Sequence, residues 1–443
     1  RKIMENEAQP ELKGVYISTY GCQMNVNDTE RMYSLLEMDN YTPVTSADQA
    51  RTIIINSWSV REKPVHKVRS EVGRYRKLKD QYPDLKIGVA GCVAQQEKAK
   101  LLKDIPMLDF VIGTDNIDEL PKVLNEVKSE NEKKVQAKFD HQSAYSVETL
   151  IRNPGIASFV NIAKGCDNFC TFCVVPFTRG RERSRTLQEV VADVQKLTER
   201  GVKEVTLLGQ NVNSYLSSCE GNFAHLLKAV SEQTDIERIR YTTSHPKDFN
   251  EELVDVMNSH NAKVCEYIHL PVQSGNTEIL ARMNRGYSRE DYLKKVDMIF
   301  KGLPNAVLST DIIVGFPGET EAAFEDTLSL LDEVRYETIY AFKYSPRPFT
   351  KAARFTDQVP EQVKKDRLQR LFDKHNALAF DYAKDYENKV LEILVEEFND
   401  GVCRGRSTQN KVVHFKSDLP HIGEKVMVKI NTAFPQTLRG EKV

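Results

Sequence analysis

Short apolar runs alternate with amphipathic stretches from residue 14 to about residue 128. Val15–Ser18, Thr52–Ile55, Lys86–Ala90 and Phe110–Ile112 are too short for helices and predict strands. Asp28–Met38, the charged stretch Arg61–Gln81, 94–104 and 116–128 predict the helices between them. Strands that are apolar throughout are buried on both faces, which predicts a parallel, doubly wound α/β sheet over residues 13–130. In such sheets ligands gather beyond the carboxyl ends of the strands. Cys22 follows the first strand, Trp58 the second and Cys92 the third, so these three ends should converge on one edge.

Residues 131–155 are polar and close on Asn153-Pro154-Gly155, which predicts a linker. A second α/β run covers about 156–380, with strands predicted at Ser158–Ile162, Glu204–Leu208, Arg238–Thr242, Cys265–Leu270, Ala306–Val314 and Thr338–Phe342. Six strand–helix repeats imply a curved parallel sheet, a partial (β/α)6 barrel two units short of a closed eight-stranded one. Its last part, 360–383, predicts one long helix introduced by Pro360. In residues 381–443 the period changes to that of short strands, at Val390–Val395, Lys411–Phe415 and Lys425–Ile430, split by glycines. This predicts a small all-β module.

Composition adds three constraints. A chain of 443 residues carries about three domains. Its 62 Lys and Arg against 64 Asp and Glu exclude a chain that is basic overall, yet from Arg404 onward eight basic residues face three acidic ones. No apolar run is long enough to span a membrane, and Arg1–Glu5 has no apolar signal segment, which points to the cytoplasm. There eight cysteines are better explained by metal binding or catalysis than by disulfides.

Three of them form Cys166-Asp167-Asn168-Phe169-Cys170-Thr171-Phe172-Cys173, a C-x3-C-x2-C spacing. Three thiolates hold three irons of a [4Fe–4S] cluster and leave the fourth iron open to a ligand. Zinc is the plainer alternative, but it wants a fourth close ligand, and the next cysteine, Cys219, is 46 residues downstream.

The motif resembles the signature of the radical S-adenosylmethionine (SAM) enzymes. The resemblance implies that SAM chelates the open iron, that Phe172 lies beside its adenine, and that the barrel has six units. Other segments are similar to motifs of the methylthiotransferases: Thr19–Asn25, Gly91–Ala94, Arg179–Arg185, Leu207–Tyr215, Thr243–Pro246, His269–Gly275 and Asp311–Thr320. Tyr20-Gly21-Cys22-Gln23-Met24-Asn25 resembles the MiaB-type branch, and the tail resembles a TRAM domain, a small RNA-binding barrel. The resemblance implies methylthio transfer to carbon 2 of isopentenyladenosine beside the anticodon of tRNA. It also implies two [4Fe–4S] clusters, a flavodoxin-type electron donor and a monomer.

At one position the sequence departs from the pattern. The second cluster of the family uses three N-terminal cysteines, and Cys22 and Cys92 match two of them. Trp58, the only tryptophan, stands where the third should follow Asn56-Ser57. An indole N–H donates and cannot replace a thiolate. The expectation is a chain that assembles the barrel cluster and holds the second weakly or not at all, with His66 as a possible surrogate ligand. Cys219, Cys265 and Cys403 read as structural.

Further candidates follow from position. Gly209-Gln210-Asn211, His245, Gln273 and Asp311 lie at or within barrel strands and would surround SAM. Arg179, Arg181 and Arg183 follow the cysteine loop and suit phosphate or carboxylate. Arg404, Arg406 and Lys411 in the basic tail suit tRNA phosphates. Three readings compete: a tRNA methylthiotransferase, a radical SAM enzyme that has lost sulfur insertion through Trp58, and a non-catalytic RNA-binding protein.

Overall fold

The computed structural model describes residues 13–58, 64–139, 145, 148–217 and 221–443. Cys219 lies outside the described residues. The chain divides into two compact units: 1–143 with 149–153 and 174–181, and 144–148 with 154–173 and 182–443.

The first unit is a six-stranded parallel sheet in the order β2-β1-β3-β4-β5-β6. Its strands are β1 (Lys13–Tyr20), β2 (Tyr41–Pro43), β3 (Thr52–Ser57), β4 (Lys86–Ala90), β5 (Phe110–Ile112) and β6 (Lys134–Gln136). Alternate residues feed two cores: Ile53, Ile55, Ile87 and Val89 one, Val15, Ile17, Ile54 and Ile112 the other. Both faces are therefore covered, as uniformly apolar strands require. The sheet runs past residue 130, because β6 lies in the stretch expected to be linker. Only three residues long, polar and at an edge, it carries no strand pattern in sequence. The helix expected over Arg61–Gln81 is described as two, Pro64–Arg74 and Arg76–Gln81.

The second unit holds the six barrel strands: β7 (Ala157–Asn161), β8 (Glu204–Leu208), β9 (Arg238–Tyr241), β10 (Tyr267–His269), β11 (Val307–Val314) and β12 (Tyr336–Lys343). They pair in parallel as β9-β8-β7 and β10-β11-β12, and a bridge from Ile239 to Val264 joins the two halves. Among the described residues no pairing joins β7 to β12, so the arc stays open. The long helix is Glu361–Lys384.

The tail closes into a five-stranded barrel of β13 (Val390–Asn399), β14 (Val402–Ser407), β15 (Val412–Lys416), β16 (Lys425–Ala433) and β17 (Thr437–Lys442). The sequence pattern missed β14 and β17, which contain Gly405 and Gly440. A Cβ there would stand 2.1 Å from the Leu394 carbonyl oxygen and 2.2 Å from that of Lys429. Beside a register shift in each case, the paired neighbouring strand approaches too closely for a side chain.

Ion pairs and hydrogen bonds, several of them buried, lock this small barrel to the base of the larger open barrel. Arg238 donates to the Arg406 carbonyl (2.6 Å) and to Glu392 (2.9 Å). Arg240 donates to the Ser407 carbonyl (2.7 Å), with its Nε 2.9 Å from Glu204. Lys411 lies 2.6 Å from the buried Glu337 carboxylate, with Lys411 itself 8% exposed. Lys411 therefore holds the two barrels together and is not available to tRNA phosphate. Arg404 and Arg406 are half-buried, paired with Glu397 (2.7 Å) and Glu396 (3.6 Å).

Candidate active site

The three-cysteine loop follows β7 at a carboxyl end, the position where a parallel sheet presents ligands. The helix Thr277–Arg282 and the residues after it support the loop. Thr171 N donates to the Met283 carbonyl (3.0 Å), and its hydroxyl to that of Arg282 (2.8 Å). Asn284 Nδ2 donates to the carbonyls of Asn168 (3.1 Å) and Phe169 (3.2 Å). Buried Arg285 donates from Nη1 to Cys170 Sγ (3.3 Å) and from Nη2 to the Pro271 carbonyl (2.8 Å). Its Nε donates to the Tyr287 hydroxyl (2.9 Å). Sequence reasoning missed Arg285 and Tyr287; the Arg-Gly-Tyr turn after a helix was their only trace.

These features suit a [4Fe–4S] cluster. Three thiols share one loop, one is buried against a guanidinium, and burial pushes the Cys166 thiol up to about 11. A thiolate there needs positive charge close by, which iron supplies.

Buried polar atoms without hydrogen-bond partners gather at the ends of β8 and β9: Asn211 Oδ1, both side-chain atoms of Asn213, Ser244 Oγ and His245 Nε2. Such atoms are costly unless a ligand meets them. Gln210 accepts from the Gly165 amide, which ties this rim to the start of the cysteine loop. Asn211 Nδ2 donates to Asp248 (2.6 Å), and Gly209 links β8 to the bend at Gln210–Asn211. Burial, then Arg285 and Lys247, push His245 down to about 2, so its ring is neutral. Gln273 exchanges backbone hydrogen bonds with β11 (2.9 Å each). Asp311 is half-buried on β11, with His269 Nε2 3.4 Å from its carboxylate. Phe172 and Ile313 each pack against a buried cluster that includes Met283 and Phe316. Phe169, Thr243, Gln273 and Phe349 all hold left-handed backbone (φ 46°, 69°, 74° and 70°) near carboxyl ends of barrel strands. Strained residues of this kind cluster at functional sites. Asn213 and Ser244 lie within the segments Leu207–Tyr215 and Thr243–Pro246 but were not among the named site residues.

In the first unit β1, β3 and β4 are neighbours, so Cys22, Trp58 and Cys92 do follow three adjacent strand ends. Asn25 and Asn56 brace this edge: Asn25 Nδ2 donates to Asn56 Oδ1 (3.1 Å), and Asn56 Nδ2 to the Asn25 carbonyl (2.8 Å). Trp58 is half-buried, its amide donating to the Tyr20 carbonyl (3.0 Å). Arg179, 3% exposed, pairs with Asp28 (2.8 Å) beside Cys92. It is not a tRNA phosphate contact. Arg185 is likewise buried and paired with Asp193 (2.7 Å). Arg181 is exposed and Arg183 half-buried. His66 is exposed on its helix, and no third ligand joins Cys22 and Cys92 among the described residues. The residues present do not fit a second cluster held by three thiolates.

The radical SAM superfamily model matches residues 160–331, the model of an uncharacterised protein family, UPF0004, matches 14–113, and the TRAM domain matches 384–443. The chain is 61% identical over 433 residues to the tRNA-2-methylthio-N(6)-dimethylallyladenosine synthase of Bdellovibrio bacteriovorus, covering 97% of this chain and 96% of that one. It is 44% identical to the proteins of the same name from Carboxydothermus hydrogenoformans (94% and 96% covered) and Bacillus subtilis (97% and 85%). Among solved structures it is similar in fold to the radical SAM methyltransferase TsrM of Kitasatospora setae, with TM-score 0.56, 13% identity, and 83% and 89% covered. An iron–sulfur cluster and SAM are thus its cofactors, and tRNA is its substrate. The chain belongs to the tRNA-2-methylthio-N(6)-dimethylallyladenosine synthases, the radical SAM methylthiotransferases of tRNA.

Proposed function

We propose that this chain adds a methylthio group to carbon 2 of isopentenyladenosine beside the anticodon of tRNA. The observation that carries the reading is the row of unpartnered buried polar atoms at Asn211, Asn213, Ser244 and His245, next to a cysteine loop braced by Arg285. SAM has an amino group, a carboxylate and a ribose to satisfy such atoms. Cys166, Cys170 and Cys173 would hold one [4Fe–4S] cluster, which when bound supplies the electron for reductive SAM cleavage.

The chain's own residues bind and orient. Arg285 places positive charge at the Cys170 sulfur, and Asn284 and Thr171 fix the loop. Neutral His245 offers a lone pair or a proton without adding charge beside bound SAM. Gly209, Gln210, Gln273 and Phe172 complete the surroundings of SAM. Arg181, Arg183, Arg404 and Arg406 would meet phosphates of the anticodon stem-loop, Arg404 and Arg406 in exchange for their surface partners Glu397 and Glu396. A flavodoxin-type reductant, a monomer and a cytoplasmic location belong to the same reading. No helix among the described residues is long and apolar enough to cross a membrane.

Trp58 favours a second reading: SAM is cleaved but sulfur insertion is impaired. Anaerobic reaction with SAM, reductant and prenylated tRNA tests both. Methylthio-adenosine in the tRNA supports the first; deoxyadenosine without methylthio product supports the second. Absence of SAM cleavage would overturn both.

A further inference from the structure

The concave face of the second half of the barrel carries two aromatic rings that the fold does not bury. Tyr340 and Phe342 on β12 are each 47% exposed, whereas the alternating Ile339 and Ala341 are buried. In register, Asp311 lies beside Tyr340 and Ile313 beside Phe342, while His269 lies beside Ser309. Paired residues of a parallel sheet project to one side, so these side chains share a face. At one end of it, Ile313 and Phe172 of the cysteine loop each pack against the same buried cluster. One layer away the face turns polar. The His269 ring meets Tyr340 edge to face (5.7 Å, 75°), with Nε2 3.4 Å from Asp311 and Nδ1 2.8 Å from Ser309 Oγ.

We propose that this face recognises the prenylated adenine: Tyr340 stacks on the purine, Phe342 with Ile313 takes the branched five-carbon chain, and the His269–Asp311 pair meets a purine nitrogen. The inference rests on the function proposed above. Its physical basis is the match between an amphipathic ligand and an amphipathic face. A flat base needs an exposed aromatic platform. An apolar chain needs apolar wall, and Phe342 and Ile313 provide it at the end joined to the cysteine loop. Tyrosine suits the boundary, with an apolar ring and a polar tip. An unprenylated adenine would leave Phe342 exposed, so the face discriminates by apolar contact.

The two aromatic residues then have separable effects. Equilibrium binding is measured with the anaerobically reconstituted enzyme, SAM present, to two anticodon stem-loops differing only in the prenyl group. The intact chain prefers the prenylated RNA by about tenfold or more. Phe342→Ala removes most of that preference and leaves affinity for the unprenylated RNA, while Phe342→Leu restores the preference. Tyr340→Ala weakens both RNAs by roughly 5- to 150-fold, the scale of one base–aromatic stack. Equal loss for both RNAs in Phe342→Ala, an undiminished preference, or a fall in SAM affinity alone would overturn the proposal. If the intact chain binds neither RNA, the function proposed above fails with it. If it binds the prenylated RNA preferentially and Phe342→Ala keeps that preference, only this inference fails.

Discussion

Arg285 donates a hydrogen bond to the sulfur of Cys170 at 3.3 Å while the rest of its guanidinium is held by Pro271 and Tyr287. The charge is fixed before any cluster binds. Such outer partners orient metal ligands and commonly account for about 10–100-fold in metal affinity. Arg285→Met should speed iron loss to a chelator by about that factor. Arg285→Lys should fall between, because an ammonium keeps the charge but loses the fork. Iron release as slow as in the unaltered protein would show the contact to be incidental.

The N-terminal edge gives the second expectation. With Cys22, Cys92 and Trp58 after adjacent strands, the reconstituted chain should hold about four irons, and Trp58→Cys about eight. Sulfide should rise in parallel. Eight irons without the substitution would mean that another group completes the site.

Much of this was legible in sequence because the signals were local. The C-x3-C-x2-C loop, the apolar strands and the departure at Trp58 are all written within a few residues of themselves. What was not legible depended on distance along the chain. Arg285 meets Cys170 across 115 positions, and Lys411 meets Glu337 across the junction of two barrels. A basic residue in a basic tail looks like a phosphate contact until its buried carboxylate partner is known. Arg179 misled in the same way, since only the fold brings Asp28 beside it. Strands β2, β6, β14 and β17 escaped because short edge segments, polar residues and glycines blur the period of two.

Lys411 therefore carries a stability prediction in place of an RNA one. Lys411→Met strips one partner from buried Glu337, which keeps Arg335 (3.2 Å) and Tyr386 (2.9 Å). The loss should lie at the lower end of the roughly 3–5 kcal/mol that breaking a buried pair costs. Urea unfolding measures it. Arg404→Ala, by contrast, should change stability little and reduce the salt slope of tRNA binding by about 0.7. A reversed pattern would return Lys411 to the RNA surface.

His245 sets a pH dependence. Folded, its ring is held down to about 2, chiefly by burial; unfolded, it titrates near about 6.5. Above that value both states are neutral and the group contributes no slope. As the pH falls below it, only the unfolded chain takes up the proton, and stability is lost. At about pH 5.5 the loss from this one group is about 1.4 kcal/mol relative to pH 7.5. His245→Gln should shrink the measured difference by that amount; an unchanged difference would mean the ring is protonated in the fold.

The central claim, methylthio transfer to prenylated adenosine in tRNA, is tested most directly by mass spectrometry of tRNA nucleosides. The tRNA is first incubated with reconstituted enzyme, SAM and reductant. The account predicts 2-methylthio-isopentenyladenosine, formed poorly by this chain and clearly better by Trp58→Cys, with deoxyadenosine released by both. Deoxyadenosine with no methylthio product even from Trp58→Cys would contradict it.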